Sequence, residues 1–71
     1  MANHVYSISE IVGTSPEGVE AAVTNAVTEA GKTLRNLDWF EVKDIRGQLG
    51  DGGVLHWQVT VKLGFRIDRA S

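Results

Sequence analysis

The sequence predicts an α+β domain of order β-α-β-β, in which a three-stranded antiparallel sheet packs on one helix. Three observations carry that prediction. Apolar residues recur at helical spacing in one stretch, Val19, Ala22, Val23, Ala26, Val27, Ala30 and Leu34. Two later runs, Leu37 to Leu49 and Val54 to Ile67, follow period two instead. Between them stands Gly50-Asp51-Gly52-Gly53, where Asp and Gly supply the positive φ values of a tight hairpin connection.

From Asn3 to Val12, Val, Tyr and Ile mix with Ser and Glu in imperfect alternation, which reads as a strand with a bulge or at a sheet edge. Gly13-Thr14-Ser15-Pro16-Glu17 then reads as a helix start. Ser15 serves as the N-cap, Pro16 suits the first helical position, and Glu17 complements the helix dipole. The small side chains of the apolar stripe let the helix lie close to a sheet. Gly18 and Gly31 each weaken it by roughly 1 kcal/mol relative to alanine, so it leans on tertiary packing, and Gly31 marks a place for a late bend. Asp68 to Ser71 is a polar tail expected to fray. Residues 1–71 form a single domain with no internal repeat, low-complexity run or linker.

Topology follows from connection rules. The last two strands form an antiparallel hairpin, and a right-handed crossover through the helix sets the first strand parallel to the second with the third between them. The sheet is then antiparallel throughout. Alternation sends Phe40, Val42, Val59, Val61, Leu63 and Phe65 under the helix, with Trp57 on the same side. Trp39, Glu41, Lys43, Gln58, Thr60 and Lys62 face the other way. A large aromatic on the polar face asks for a ligand or a partner.

Size and charge bound the function. A chain of 71 residues buries only about 60% of its surface on folding, and without cysteine oligomerisation is the staple left open. The formal net charge of -2, from seven Lys and Arg against nine Asp and Glu, gives no electrostatic reason to seek nucleic acid or an anionic membrane. No leader-like or spanning apolar run is present, so a soluble cytoplasmic protein is expected. His4 and His56 lack metal-ligand spacing, and Ser7, Ser9 and Ser15 lack a partnered histidine. Neither a metal site nor an enzyme is indicated.

Three readings of Trp39 stay open from the residues alone: core packing after a slip in period, an anchor between subunits, or a stacking platform for a flat heteroaromatic ring. Gln58 on the same face offers an acceptor and donors that suit a pyrimidine-like edge, although an exposed strand glutamine is commonly solvated. Lys43, Asp44 and Arg46 close the second strand, either as a solvated edge or as contacts for a polyol or phosphate. Gly47-Gln48-Leu49-Gly50 lacks the lysine and helix of a phosphate loop.

Taken together, Asn3 to Tyr6, Glu10 to Pro16, Leu37 to Val42, Ile45 to Leu49 and Gln58 to Arg66 resemble the dodecins, a family of small flavin-binding proteins. The likeness covers nearly the whole chain. It implies a hollow homododecamer with flavins stacked in pairs between tryptophans of symmetry-related subunits. On that resemblance Trp39 is the stacking residue, Gln58 bonds the isoalloxazine edge, and Asp44 and Arg46 reach the ribityl chain or phosphate. FMN is the expected ligand, with riboflavin or another flavin as the variant. Tyr6, Lys32 and Arg66 are the corresponding candidates for coenzyme A. Trp57 departs from the family pattern, where Phe or Tyr is usual. The implied role is flavin storage and sequestration without catalysis, in which stacking shields and quenches the flavin; the rival is a structural shell, or a coenzyme A binder, that holds no flavin.

Overall fold

The computed structural model describes residues 3–68. The chain forms β1 (Tyr6–Ser15), α1 (Val19–Ala30), β2 (Leu37–Gly50) and β3 (Gly53–Arg66). Its one sheet has the order β1-β3-β2, and both pairings are antiparallel. The expected α+β architecture is present.

Element boundaries differ where tertiary pairing overrides local signals. β1 continues through Gly13, Thr14 and Ser15 because β3 offers them Val59, Gln58 and Trp57 as ladder partners. Ser15 is therefore a strand residue and not the helix N-cap. Its buried hydroxyl accepts from the Glu17 amide at 3.0 Å and turns the chain out of the strand. The helix starts at Val19 after Gly18, without a side-chain cap, and Glu20 is the acidic residue of its first turn. It ends at Ala30, so Leu34 lies beyond it, although the Leu34 amide still donates to the Ala30 carbonyl at 2.9 Å. Of the four hairpin residues, Gly53 alone takes a positive φ, 131°, and the register shift between Gln48 and Leu49 supplies further twist.

The expected fraying does not extend to Asp68. Arg35 donates to its carboxylate at 2.8 Å, as does the Asn36 amide at 2.8 Å. Asn36 stands at φ 63°, its carbonyl accepts from the Arg66 amide, and its side chain also reaches the Arg66 carbonyl. The end of β3 is thus tied to the turn before β2. The rest of the expected polar tail lies outside the described residues.

Among the described residues the buried apolar core is Ala22, Ala26, Val59, Val61 and Leu63, flanked by Ile11, Val19, Val23, Val27, Ala30 and Leu37. The helix packs mainly on β1 and β3 and, apart from Leu37 at its start, leaves β2 uncovered. A short connection holds it above β1, and Gly13 lets it settle there. A Cβ on Gly13 would strike the Ala22 carbonyl oxygen and come within 2.8 Å of the Ala26 Cβ. Phe40 and Val42 accordingly do not join the core: they remain 54% and 38% exposed although they stand opposite Leu63 and Val61. Phe65 and Trp57 are only half-buried at its margin.

β2 and β3 also outrun the rest of the fold. Pairing with β1 stops at Trp57, so Gly53 to His56 pair with β2 alone. That end is a two-stranded ribbon carrying exposed Leu49, Val54 and Leu55, an arrangement with little stability of its own in water. Gly13→Ala is expected to cost about 1–3 kcal/mol through overpacking against the helix. A lowered thermal midpoint with retained strand content checks it, and an unchanged midpoint would contradict the close approach.

Candidate ligand-binding face

The sheet face away from the helix is open, and register assigns its residues. Tyr6, Ile8, Glu10, Val12 and Thr14 of β1 stand opposite Arg66, Gly64, Lys62, Thr60 and Gln58 of β3. On the other flank Trp39, Glu41, Asp44 and Arg46 of β2 stand opposite Gly64, Lys62, Thr60 and Gln58. Strict alternation along β2 would have sent Asp44 and Arg46 to the helix side with Phe40 and Val42. A register shift between Val42 and Asp44 inserts Lys43 and turns them to the open face. Ile45 moves the other way, opposite buried Val59.

The inserted residue is itself engaged. Lys43 Nζ lies 2.8 Å from Glu10 Oε2 across the central strand. The hydrogen bond from Lys43 holds the Glu10 carboxyl below its ordinary range, and the same bond raises the Lys43 ammonium. Both groups are exposed, so the pair is screened by salt.

At one end of this face the Trp39 indole rests over Gly64. A Cβ at position 64 would collide with the indole ring carbons Cε2 and Cζ2, so the bare glycine forms the floor on which the ring lies. Tyr6 flanks the indole with ring centroids 5.2 Å apart and planes tilted by 57°. Trp39 is 41% exposed and is not part of the core. At the other end Arg46 Nε donates to Gln58 Oε1 at 2.9 Å. Positions 58 and 64 are six residues apart on β3, about 20 Å in an extended strand. The indole platform and the Gln58 amide therefore occupy opposite ends of the face.

The remaining sequence-derived candidates divide. Tyr6 stands opposite Arg66 beside Trp39. Lys32 lies in the turn after the helix and donates to Glu29 at 3.2 Å instead. Asp44 borders a hollow of about 270 Å³ with Glu10, Val12, Lys43 and Thr60, midway between the two ends. A groove of about 620 Å³ between β1 and α1 is lined by Ile11, Asn25, Ala26 and Leu34 and includes neither Trp39 nor Gln58. Sequence reasoning missed the floor under the indole and the flanking role of Tyr6. A glycine interrupting the regular run from Trp57 to Phe65 was the available signal for the first.

Among the described residues no three His, Cys, Asp or Glu side chains gather as a metal site, and no helix is long and apolar enough to cross a membrane. A family model described as Dodecin matches residues 5–68. A dodecin from Thermus thermophilus is 56% identical over 64 residues, which cover 90% of this chain and 93% of that protein. The solved dodecin from Streptomyces coelicolor is 61% identical, covers 99% of this chain and all of its own, and superposes with a TM-score of 0.93. The dodecin from Streptomyces davaonensis is 59% identical with a TM-score of 0.92, covering 96% of this chain and all of its own.

Two outcomes test this geometry. Gly64→Ala, placed in a Trp57→Phe background so that Trp39 alone reports, is expected to lift the indole and red-shift its emission; an unmoved spectrum would contradict the glycine floor. The depressed Glu10 carboxyl contributes stability above its unfolded pKa and loses it as pH falls through the folded value. The advantage of the native chain over Glu10→Gln in thermal midpoint should therefore shrink between about pH 7 and about pH 3, and shrink again with added salt. A pH-independent difference would show that the ion pair is not its source.

Proposed function

The chain thus belongs to the dodecin family, small oligomeric proteins of binding and storage, and we propose that it stores and sequesters flavin without catalysing a reaction. The observation that carries this reading is the exposed Trp39 indole seated over Gly64. Stacking needs one large aromatic face held in a fixed plane and left open on its outer side, and a buried or freely rotating tryptophan supplies neither.

The separation of Trp39 from Gln58 suits a site completed by an assembly. In the proposed homododecamer, Trp39 residues of symmetry-related subunits enclose a pair of isoalloxazines, and Gln58 reaches a ring edge from a different chain than the one stacking beside it. The uncovered apolar residues of β2 and the ribbon end support association. Asp44 accepts from ribityl hydroxyls, and the terminal guanidinium nitrogens of Arg46, whose Nε is already engaged, favour the phosphate of FMN over riboflavin. Enclosure between indoles excludes water, and electron transfer from indole to the excited flavin quenches its fluorescence and limits its photochemistry.

Coenzyme A is a second ligand, favoured by the pairing of Tyr6 with Arg66 at one end of the open face. An aromatic ring beside a guanidinium suits an adenine and its phosphates. Lys32 has no comparable placement, since its ammonium turns to Glu29.

Titration of refolded, ligand-free protein with FMN tests the flavin reading. Quenching that saturates near one flavin per chain on a dodecamer-sized particle is the expected result, and Trp39→Ala is expected to weaken binding by about 0.5–1.5 kcal/mol per lost aromatic pair beyond area burial. Gln58→Leu should weaken it by about 1 kcal/mol through an unpaired ring edge. An intact large particle that neither quenches nor binds FMN would leave a structural shell as the function.

A further inference from the structure

Gln58 is half-buried on the central strand, with Arg46 beside it on β2 and Thr14 beside it on β1. Its one side-chain hydrogen bond among the described residues comes from Arg46 Nε at 2.9 Å. A guanidinium has only donors, so the amide must turn its oxygen, and not its nitrogen, toward Arg46. The Thr14 hydroxyl imposes no such choice, because it can donate or accept. Without Arg46 the amide has two orientations of comparable cost. With Arg46 it has one.

We propose that Arg46 is a positioning and specificity-determining residue: it locks the Gln58 amide so that the site presents N–H donors to the ligand. This inference rests on the flavin reading above. The ring edge selected is one that places an acceptor, such as a pyrimidinedione carbonyl, against the Gln58 amide nitrogen, where an N–H would meet a second donor; the remaining lone pair of Oε1 is left on the Arg46 side. The charge on the guanidinium also polarises the amide and strengthens its N–H donors. Arg46 therefore acts on the ring through Gln58, in addition to any contact that its terminal nitrogens make with a phosphate. The register shift at Lys43 is what makes this possible, since it turns Arg46 to the face of Gln58.

Lumiflavin, which has the ring and neither the ribityl chain nor a phosphate, separates the two actions of Arg46. Its dissociation constant and that of FMN are measured for native protein, Arg46→Ala, Gln58→Leu, the double variant and Gln58→Glu, with particle mass checked throughout. Arg46→Ala is expected to weaken lumiflavin by about twofold from the freed amide orientation, and further from the lost polarisation of its N–H donors. The double variant should bind lumiflavin no more weakly than Gln58→Leu alone. Gln58→Glu keeps a partner for Arg46 but has no N–H, and should lose lumiflavin on an intact particle. Unchanged lumiflavin binding in Arg46→Ala, with FMN alone weakened, would overturn the proposal and make Arg46 a phosphate contact. Additive losses in the double variant, or native-like binding by Gln58→Glu, would overturn it equally. Failure of the flavin reading itself has a different signature: native protein binds neither lumiflavin nor FMN.

Discussion

The close seating of the helix on Gly13 is the contact on which the rest of the architecture depends. The absence of one side chain lets Ala22 and Ala26 reach the sheet, and the core condenses there with Val59, Val61 and Leu63. The helix is then committed to β1 and β3. Beyond Leu37, β2 has little cover on that side, and the opposite face of the sheet has none along its length. Among the described residues one 12-residue helix is the covering element, and it cannot cover both. Exposure of Phe40, Val42 and Ile45 is therefore a consequence of where the helix sits, and it makes association with further copies the physical route to a well-packed protein.

The same sheet separates the two kinds of contact that a flat, hydrogen-bonding ligand needs. An apolar platform forms where the indole lies on Gly64, and a polar station forms where Arg46 meets Gln58. Extended backbone is stiff, so their spacing on β3 is fixed by residue count. Assembly and ligand capture then become one problem: the surfaces that need covering are those that carry the recognition groups. Between the stations Lys43 and Glu10 neutralise each other across the central strand, beside Glu41, Asp44 and Lys62 on the same face.

Much of this was legible in the residues. Helical spacing from Val19 to Ala30, the alternating run through β3 and the glycine-rich connection determined the order of elements and the antiparallel hairpin. Alternation also placed Trp39 and Gln58 on the open face, because the run from Trp39 to Val42 and the run through Gln58 each keep their period, although a further register shift at Asp38 separates Trp39 from Leu37. Local signals were less dependable at ends: Ser15 has the chemistry of an N-cap, yet an available partner at Trp57 kept it in the strand.

What only the tertiary structure decided was anything that depends on a non-local match. The register shift at Lys43 arises from pairing with β3 and has no signature in the alternation of β2, and it alone brings Arg46 to Gln58. The seating of the indole depends on a glycine 25 positions later, between residues 39 and 64, and the exposure of Phe40 and Val42 on where the helix comes to rest. Sequence determined which side chains each strand carries, since periodicity is a local property of the backbone. Tertiary structure decided which of them meet, since that depends on how strands and helix are placed against one another.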